Sequence, residues 1–585
     1  KKLVSFLEHM MTKWETTLIL GRKNNQLTIP NIKIRRGIFQ GDSLSPIWFC
    51  LALNPLSSML NNEGIGYEIR KLNERGHMLS HLLYMDDLKL YGKNEREMKI
   101  LLTHATNFSN DIKMQFGIDK CRTMTMKRGV QKTVNETVKS GEEELTIEAL
   151  QGEEMYKYLG MEQTRTTEKE IIKQRLSNEF QSRLHKICRS GLNSGHLIKA
   201  INVYAISVLT YSFGVIHWND TELAGLQRLT RKVLMKNRCH HPKSAIERTL
   251  TPRKEGGRGI LDIASMHDRQ IANIGKYMQT KKETNPLLAA IVHSDEKLTP
   301  VNLSNENSNM NVRIKERVTA RTTAWENKAI HGRFYRELNS NEVDKEMSCE
   351  WIKRGEIFPE TEGFMFAIQD QVVLTNNYKK MILKDPIAVD KCRKCGCNGE
   401  TIQHILNGCA QLVTSEYKSR HDAVGKILHQ EIMKRIVGES KGTPYYKYDP
   451  ESIVETDRYR IYWDRTVRTD REAIHNRPDI IVLDKLEKTA QLIDVAIPGT
   501  HNVKSTYEEK KRKYVELSKE IRKIWKIEKV EVIPIVISST GLVHPQLREN
   551  LKKIGLLFEK YIISKMQKAI VIKVCSMVRT FFGEL

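Results

Sequence analysis

The chain has 585 residues, with 95 Lys and Arg against 71 Asp and Glu, and its formal net charge of +24 suits a partner that is a polyanion. At roughly 100–200 residues per domain this length predicts about three to five domains, and 40% hydrophobic with 28% charged residues excludes wholesale disorder. Apolar runs fall well short of the ~20 residues a membrane span needs, so no membrane segment is expected, and ten mostly scattered cysteines fit free thiols rather than a disulfide framework.

The chain opens Lys-Lys-Leu-Val without an initiator Met or a targeting segment, which reads as a fragment whose start lies upstream. Leu3, Val4, Leu7, Met10, Met11 and Trp14 recur at helical spacing and predict a helix over 1–20 that gives out at Gly21. A polar loop from Ile32, an apolar helix over 48–60 and two short strands at 81–84 and 88–91 follow, the strands joined by a tight acidic turn. Residues 155–160 read as a strand and turn. Residues 166–240 are helix-like, with Leu197, Ile201, Ala205 and Val208 on one stripe and Leu226, Leu229 and Val233 on another.

The window 226–258 is strongly basic: Arg228, Arg231, Lys232, Lys236, Arg238, Lys243, Arg248, Arg253, Lys254 and Arg258 face only Glu247 and Glu255. Such an excess predicts a face that tracks phosphates. Residues 302–311, rich in Asn and Ser, read as a linker. Beyond Cys392 come a Cys/His cluster, strands over 480–497, a basic helix over 507–525, a strand over 530–538, and a helix-like end at 552–585 carrying Leu556, Leu557, Tyr561 and Ile562.

Two motifs carry the first chemical signal. Tyr84-Met85-Asp86-Asp87 sets paired carboxylates at a hairpin tip, although Asp also favours turns for its own local hydrogen bonds. About forty residues earlier, Gly37-Ile38-Phe39-Gln40-Gly41-Asp42-Ser43-Leu44-Ser45-Pro46 combines two glycines, which let backbone approach a ligand, with a Gln and a Ser-Pro helix entry. In this order and at this distance the pair resembles the reverse transcriptase palm. The resemblance implies template and nucleotide binding at Gln40 and Gly41, and metal binding at Asp86 first and Asp87 second. Two Mg²⁺ ions would there clamp the attacking and leaving oxygens. Gly117-Ile118-Asp119-Lys120 resembles the segment whose lysine faces the departing pyrophosphate, and Tyr156-Lys157-Tyr158-Leu159-Gly160 resembles the primer grip. One departure stands out: the family draws another Asp from a strand upstream of the Gln-Gly loop, and no Asp precedes Asp42 in this chain.

Cys392-x2-Cys395, His404 and Cys409 supply three thiolates and one imidazole, the donor set of a closed, structural tetrahedral Zn²⁺ site. Cys397 is an alternative to Cys395. Such an ion would order a segment too short to build its own core.

A second acidic constellation begins at Arg477-Pro478-Asp479, which opens the strand Ile480-Ile481-Val482-Leu483; the return strand Leu492-Ile493-Asp494-Val495 brings a second carboxylate back toward the same end. Lys510 and Lys513, three apart, share one face of the following helix. Pro-Asp, a second Asp and a later lysine resemble a restriction-type endonuclease core, which implies that Asp479 and Asp494 hold Mg²⁺ and that a lysine orients or deprotonates the attacking water. The simplest family pattern has Lys two residues after the second Asp; here position 496 is Ala, so Lys510 and Lys513 both qualify.

The serial order resembles the polyprotein of site-selective non-LTR retrotransposons with a restriction-like endonuclease. The implied fold is multidomain α+β: a partial reverse transcriptase fingers and palm at 1–165, a helical thumb at 166–268, a linker region at 269–388, a CCHC zinc knuckle at 389–435, an α/β restriction-like endonuclease at 436–545 and a C-terminal helical segment at 546–585. The implied partners are element RNA template, target DNA and dNTPs, with action in the nucleus, the thumb residues Arg228, Arg231, Lys232 and Arg238 gripping phosphates, and the oligomeric state open. A domesticated, non-catalytic nucleic-acid-binding scaffold is the alternative. Because two turn carboxylates do not replace a ligand from another strand, primer extension on an RNA template by these 585 residues is expected to stay at background; robust incorporation would contradict that expectation.

Overall fold

The computed structural model describes residues 2–21, 26–35, 37–69, 76–140, 143–303, 310–438, 442–470, 474–556 and 558–583. Leu557 and most of the linker expected at 302–311 lie outside the described residues, as does the side chain of Leu3. The chain divides into two compact units. The first holds 1–172, 277–298 and 302–304, and the second holds 173–276, 299–301 and 305–585.

In the first unit a helix at Lys2–Met11 is followed by an antiparallel strand pair, Glu15–Leu20 with Leu27–Lys33. The helix expected over 1–20 therefore ends early. Thr16, Thr17 and Ile19 are β-branched, and the strand partner beyond Gly21 satisfies their backbone. Helices Ser45–Asn62 and Glu95–Asp111 bury Leu53, Leu56, Leu60, Leu101, Ala105 and Phe108 against each other and against Leu83, Leu88 and Leu90. This small core seats the hairpin His81–Tyr84 and Asp87–Leu90. A sequence-remote helix, Pro286–Ser294, packs on the hairpin Tyr67–Ile69 and His77–Leu79.

The second unit is built on a five-stranded sheet in the order Ile453–Glu455, Tyr459–Trp463, Ile480–Asp484, Thr489–Ala496, Lys529–Val536. The first three junctions are antiparallel and the last is parallel. A parallel neighbour needs a crossover, supplied by helices Val503–Lys513 and Val515–Ile524. The single basic helix expected over 507–525 is thus two, broken at the fully buried Tyr514. The other face carries helices Lys418–Val437 and Glu559–Phe582. Gly425 sits against the Trp463 ring so closely that a Cβ there would meet it at 2.7 Å.

Residues 269–388, expected as a linker region, are largely helical. Met347, Trp351, Met365 and Phe366 belong to the same core as Ile405, Ile427, Ile480, Ile493 and Ile570. The segments expected as zinc knuckle, endonuclease and C-terminal helix therefore share one core rather than forming separate domains.

The basic window is not one solvated face. Arg248, fully buried, pairs with Asp370 at 2.8 Å, reaches Gln369 and lies over the Phe366 ring. Arg253 and Arg258 converge on the fully buried Glu362 at 2.5 and 3.9 Å. Burial pushes Glu362 up, but the two guanidinium groups outweigh it and hold the carboxyl below its ordinary value. Removing one member of such a set leaves a stranded charge, so Glu362→Ala is expected to cost the second unit about 3–5 kcal/mol. Lys232→Ala, on the exposed side, should cost no more than about 0.5 kcal/mol. Denaturant unfolding of both variants checks the contrast.

Candidate functional site

At the hairpin tip, Tyr84 pairs with Asp87, and Met85 and Asp86 make the turn. Met85 adopts a φ of 52°, a left-handed conformation that side chains adopt only at a cost. Its sulfur lies 3.8 Å from Cys50 Sγ on the helix behind, and Ser57 Oγ meets His81 Nε2 at 2.8 Å, so the hairpin is fastened to that helix at tip and base. Asp86 and Asp87 are both exposed. Tyr158 lies close enough that burial and then the charge of Asp87 raise its phenol. Lys89, on the same strand as Asp87, bonds Gln163 at 2.9 Å and lies over the rings of Tyr156 and Tyr158. The structure thus brings the acidic hairpin and the Tyr156–Tyr158 strand together.

Gln40 and Gly41 form an exposed turn before helix Ser45–Asn62, with Gly41 at a φ of 93° that favours glycine. Lys120 ends a short exposed helical turn. Among the described residues no hydrogen bond or ion pair joins Gln40, Gly41 or Lys120 to Asp86 or Asp87. Among the described residues no third metal-ligating side chain is grouped with the two carboxylates either.

In the second unit, Arg228, Lys232 and Arg238 are exposed along and just beyond helix Asp220–Lys236. Arg231 is half-buried, and burial followed by the charge of Arg228 lowers it. With Arg248, Arg253 and Arg258 turned inward onto Asp370 and Glu362, the solvent-facing set is smaller than the sequence count implies.

Cys392, Cys395, His404 and Cys409 converge, their ligand atoms all within 4.8 Å of one another. Cys392 Sγ lies 3.9 Å from Cys409 Sγ, and Cys395 Sγ 3.4 Å from His404 Nε2. A tetrahedral Zn²⁺ with Zn–S of about 2.3 Å and Zn–N of about 2.0–2.1 Å sets those edges at roughly 3.8 and 3.6 Å, so the donor set fits the ion. Cys397 is exposed and outside the group, which decides between it and Cys395. Arg393 and the buried Glu400 pin the turn, paired at 2.7 Å.

The acidic pair of the sheet is also assembled. The Asp494 side chain, 3% exposed, has Lys510 Nζ 2.6 Å from Oδ2 and Lys513 Nζ 3.5 Å from Oδ1. Tyr514 donates its hydroxyl hydrogen to Oδ1 at 2.6 Å. Asp479 Oδ2 accepts the Val495 amide at 2.6 Å and faces His421 Nε2 at 3.2 Å, which leaves Oδ1 without a partner among the described residues. Burial works against a charged Lys510, yet Asp494 carries it above its ordinary value. Lys513 goes the other way: burial, unrelieved by the partial pairing and worsened by Lys510 beside it, lowers it. Burial and then the charge of Asp494 push Tyr514 far up, so it stays protonated. His421 is desolvated, but hydrogen bonds to Asp422 and Asp479 raise it to about 10. Hard, under-satisfied carboxylate oxygens suit Mg²⁺, and Asp494 Oδ2 is a buried oxygen with no well-aligned hydrogen bond.

His421 and Tyr514 were invisible in the sequence. His421 lies far from Asp479 along the chain, and Tyr514 reads as one more residue of a basic helix.

Residues 1–163 match the family model described as reverse transcriptase (RNA-dependent DNA polymerase). The match supports a reverse-transcriptase-containing protein. It spans Gln40, Gly41, Asp86, Asp87, Lys120 and the Tyr156–Tyr158 strand, and supports RNA template and dNTP use by that segment. No curated protein matches the chain. No helix among the described residues is long and apolar enough to cross a membrane.

The cluster geometry makes a test of its own. Metal analysis of the purified chain is expected to give about one zinc per chain, lost in Cys409→Ser and retained in Cys397→Ser. Retention in Cys409→Ser would contradict the ligand set.

Proposed function

We propose that the chain is part of a non-LTR retrotransposon protein that nicks target DNA with a Mg²⁺-dependent endonuclease and extends the exposed 3′-hydroxyl by reverse transcription of element RNA. Such action on chromosomal DNA places it in the nucleus. The match over residues 1–163 supports the polymerase half. The observation that carries the nuclease half is the buried Asp494 carboxylate, paired with Lys510 and Lys513 on the strand beside Asp479.

In this reading Asp479 and Asp494 would hold the ion. Bound there, Mg²⁺ would supply polarisation of the phosphate and a more acidic water. Lys510 keeps Asp494 charged and in place. Lys513, whose ammonium burial makes easier to deprotonate, would accept the proton of the attacking water as the neutral amine. Tyr514 fixes the carboxylate plane of Asp494. Arg228, Lys232 and Arg238, with Arg231 behind them, contact nucleic-acid phosphates without reading sequence, so their contribution weakens with salt. Zn²⁺ held by Cys392, Cys395, His404 and Cys409 is structural. A non-catalytic scaffold is not favoured: unlike the closed cross-links at Glu362, Asp370 and Glu400, the paired Asp494 sits beside Asp479, which keeps one oxygen without a hydrogen-bond partner among the described residues.

Asp479→Ala and Asp494→Ala should each lower Mg²⁺-dependent nicking of duplex DNA by at least about 100-fold, with DNA affinity nearly unchanged. Lys513→Ala should lower the rate more than it lowers metal affinity. Nicking that survives both Asp changes would falsify the nuclease assignment.

A further inference from the structure

The helix Lys418–Val437 leaves the Cys/His cluster and reaches the acidic pair within its first turn, and its seating is specific. Tyr417 accepts the Cys409 amide at 3.0 Å and donates to the Ile405 carbonyl at 2.8 Å. Arg420, buried, donates to the Leu406 carbonyl at 3.0 Å. The helix start is therefore tied to the backbone that carries His404 and Cys409. A second tie runs in parallel: Asn407 donates to the Ile497 carbonyl at 2.9 Å, just beyond the strand of Asp494.

Between these ties stands His421. Its Nε2 faces Asp479 Oδ2 and the Val495 carbonyl, each at 3.2 Å, and its Nδ1 faces Asp422 Oδ1 at 3.2 Å. Every neighbour is an acceptor, so the ring is clamped between Asp422 and Asp479 with its Nε2 edge fixed toward Asp479 Oδ2. Outer hydrogen bonds of this kind fix ligand orientation, and their loss typically costs 10–100-fold in metal affinity.

We propose that His421 is a positioning residue of the acidic pair: it holds Asp479 with one oxygen turned to the ion, from a helix seated on the Cys/His cluster, so that an intact cluster sets the divalent affinity of Asp479 and Asp494. The inference rests on the nuclease reading above.

The test measures Mn²⁺ binding to the full zinc-loaded chain by titration calorimetry, with zinc content and thermal midpoint recorded alongside. His421→Ala is expected to weaken Mn²⁺ binding by about 10-fold or more, with zinc and midpoint retained. His421→Gln, which keeps one donor toward Asp479, should recover most of the loss. Cys395→Ser, which opens the cluster at its half-exposed ligand, should weaken Mn²⁺ binding as well. Wild-type affinity in His421→Ala, with affinity lost in Asp494→Ala, overturns the inference and leaves the nuclease reading standing. Wild-type affinity in both removes the nuclease reading itself. A loss in His421→Ala that Gln does not recover and that tracks a fallen midpoint assigns His421 a packing role only, and unchanged affinity in Cys395→Ser overturns the link to the cluster.

Discussion

A carboxylate withdrawn from water must meet a cation or give up its charge, and the second unit is arranged around that requirement. Glu362 meets Arg253 and Arg258, Asp370 meets Arg248, Glu400 meets Arg393, and Asp494 meets Lys510 and Lys513. In the first three sets the cations are arginines that tie each carboxylate to another part of the chain, so they act as cross-links. Asp494 differs because its cations are lysines on a helix flank, partly open to solvent, and its neighbour Asp479 keeps one oxygen unpartnered among the described residues.

That difference separates structure from chemistry within a single core. The Cys/His cluster, the sheet and the C-terminal helix share apolar contacts from Cys392 to Phe581. The helix Lys418–Val437, with Tyr417 just before it, links the two: Tyr417 and Arg420 bond the backbone of the cluster and His421 faces Asp479. In the first unit the acidic hairpin rests on a much smaller core and presents Asp86 and Asp87 to solvent. Its tyrosine and lysine neighbours come from the Tyr156–Tyr158 hairpin and from its own strand.

What the sequence made legible was local. The Asp86–Asp87 hairpin, the Cys392 to Cys409 spacing and the strands flanking Asp479 and Asp494 each depend on residues close in the chain, and the structure places them as such. What it hid was long-range. Arg248 and Asp370 lie over a hundred residues apart, so three arginines that read as phosphate contacts are internal. The helical content of 269–388 was missed because much of it lies in short helices such as His331–Leu338 and Glu350–Arg354, while the long helix Met310–Glu326 buries only Trp325 and so carries no apolar stripe. The helix over 1–20 was overextended because Trp14 fell on the helical stripe while the β-branched run after it found a strand partner.

The central claim is that Asp479 and Asp494 share a divalent ion. Anomalous diffraction from crystals of the full chain soaked in Mn²⁺ tests it most directly. The account predicts a peak between the two carboxylates, with His421 still on Asp479. A well-ordered site with no peak there would contradict it.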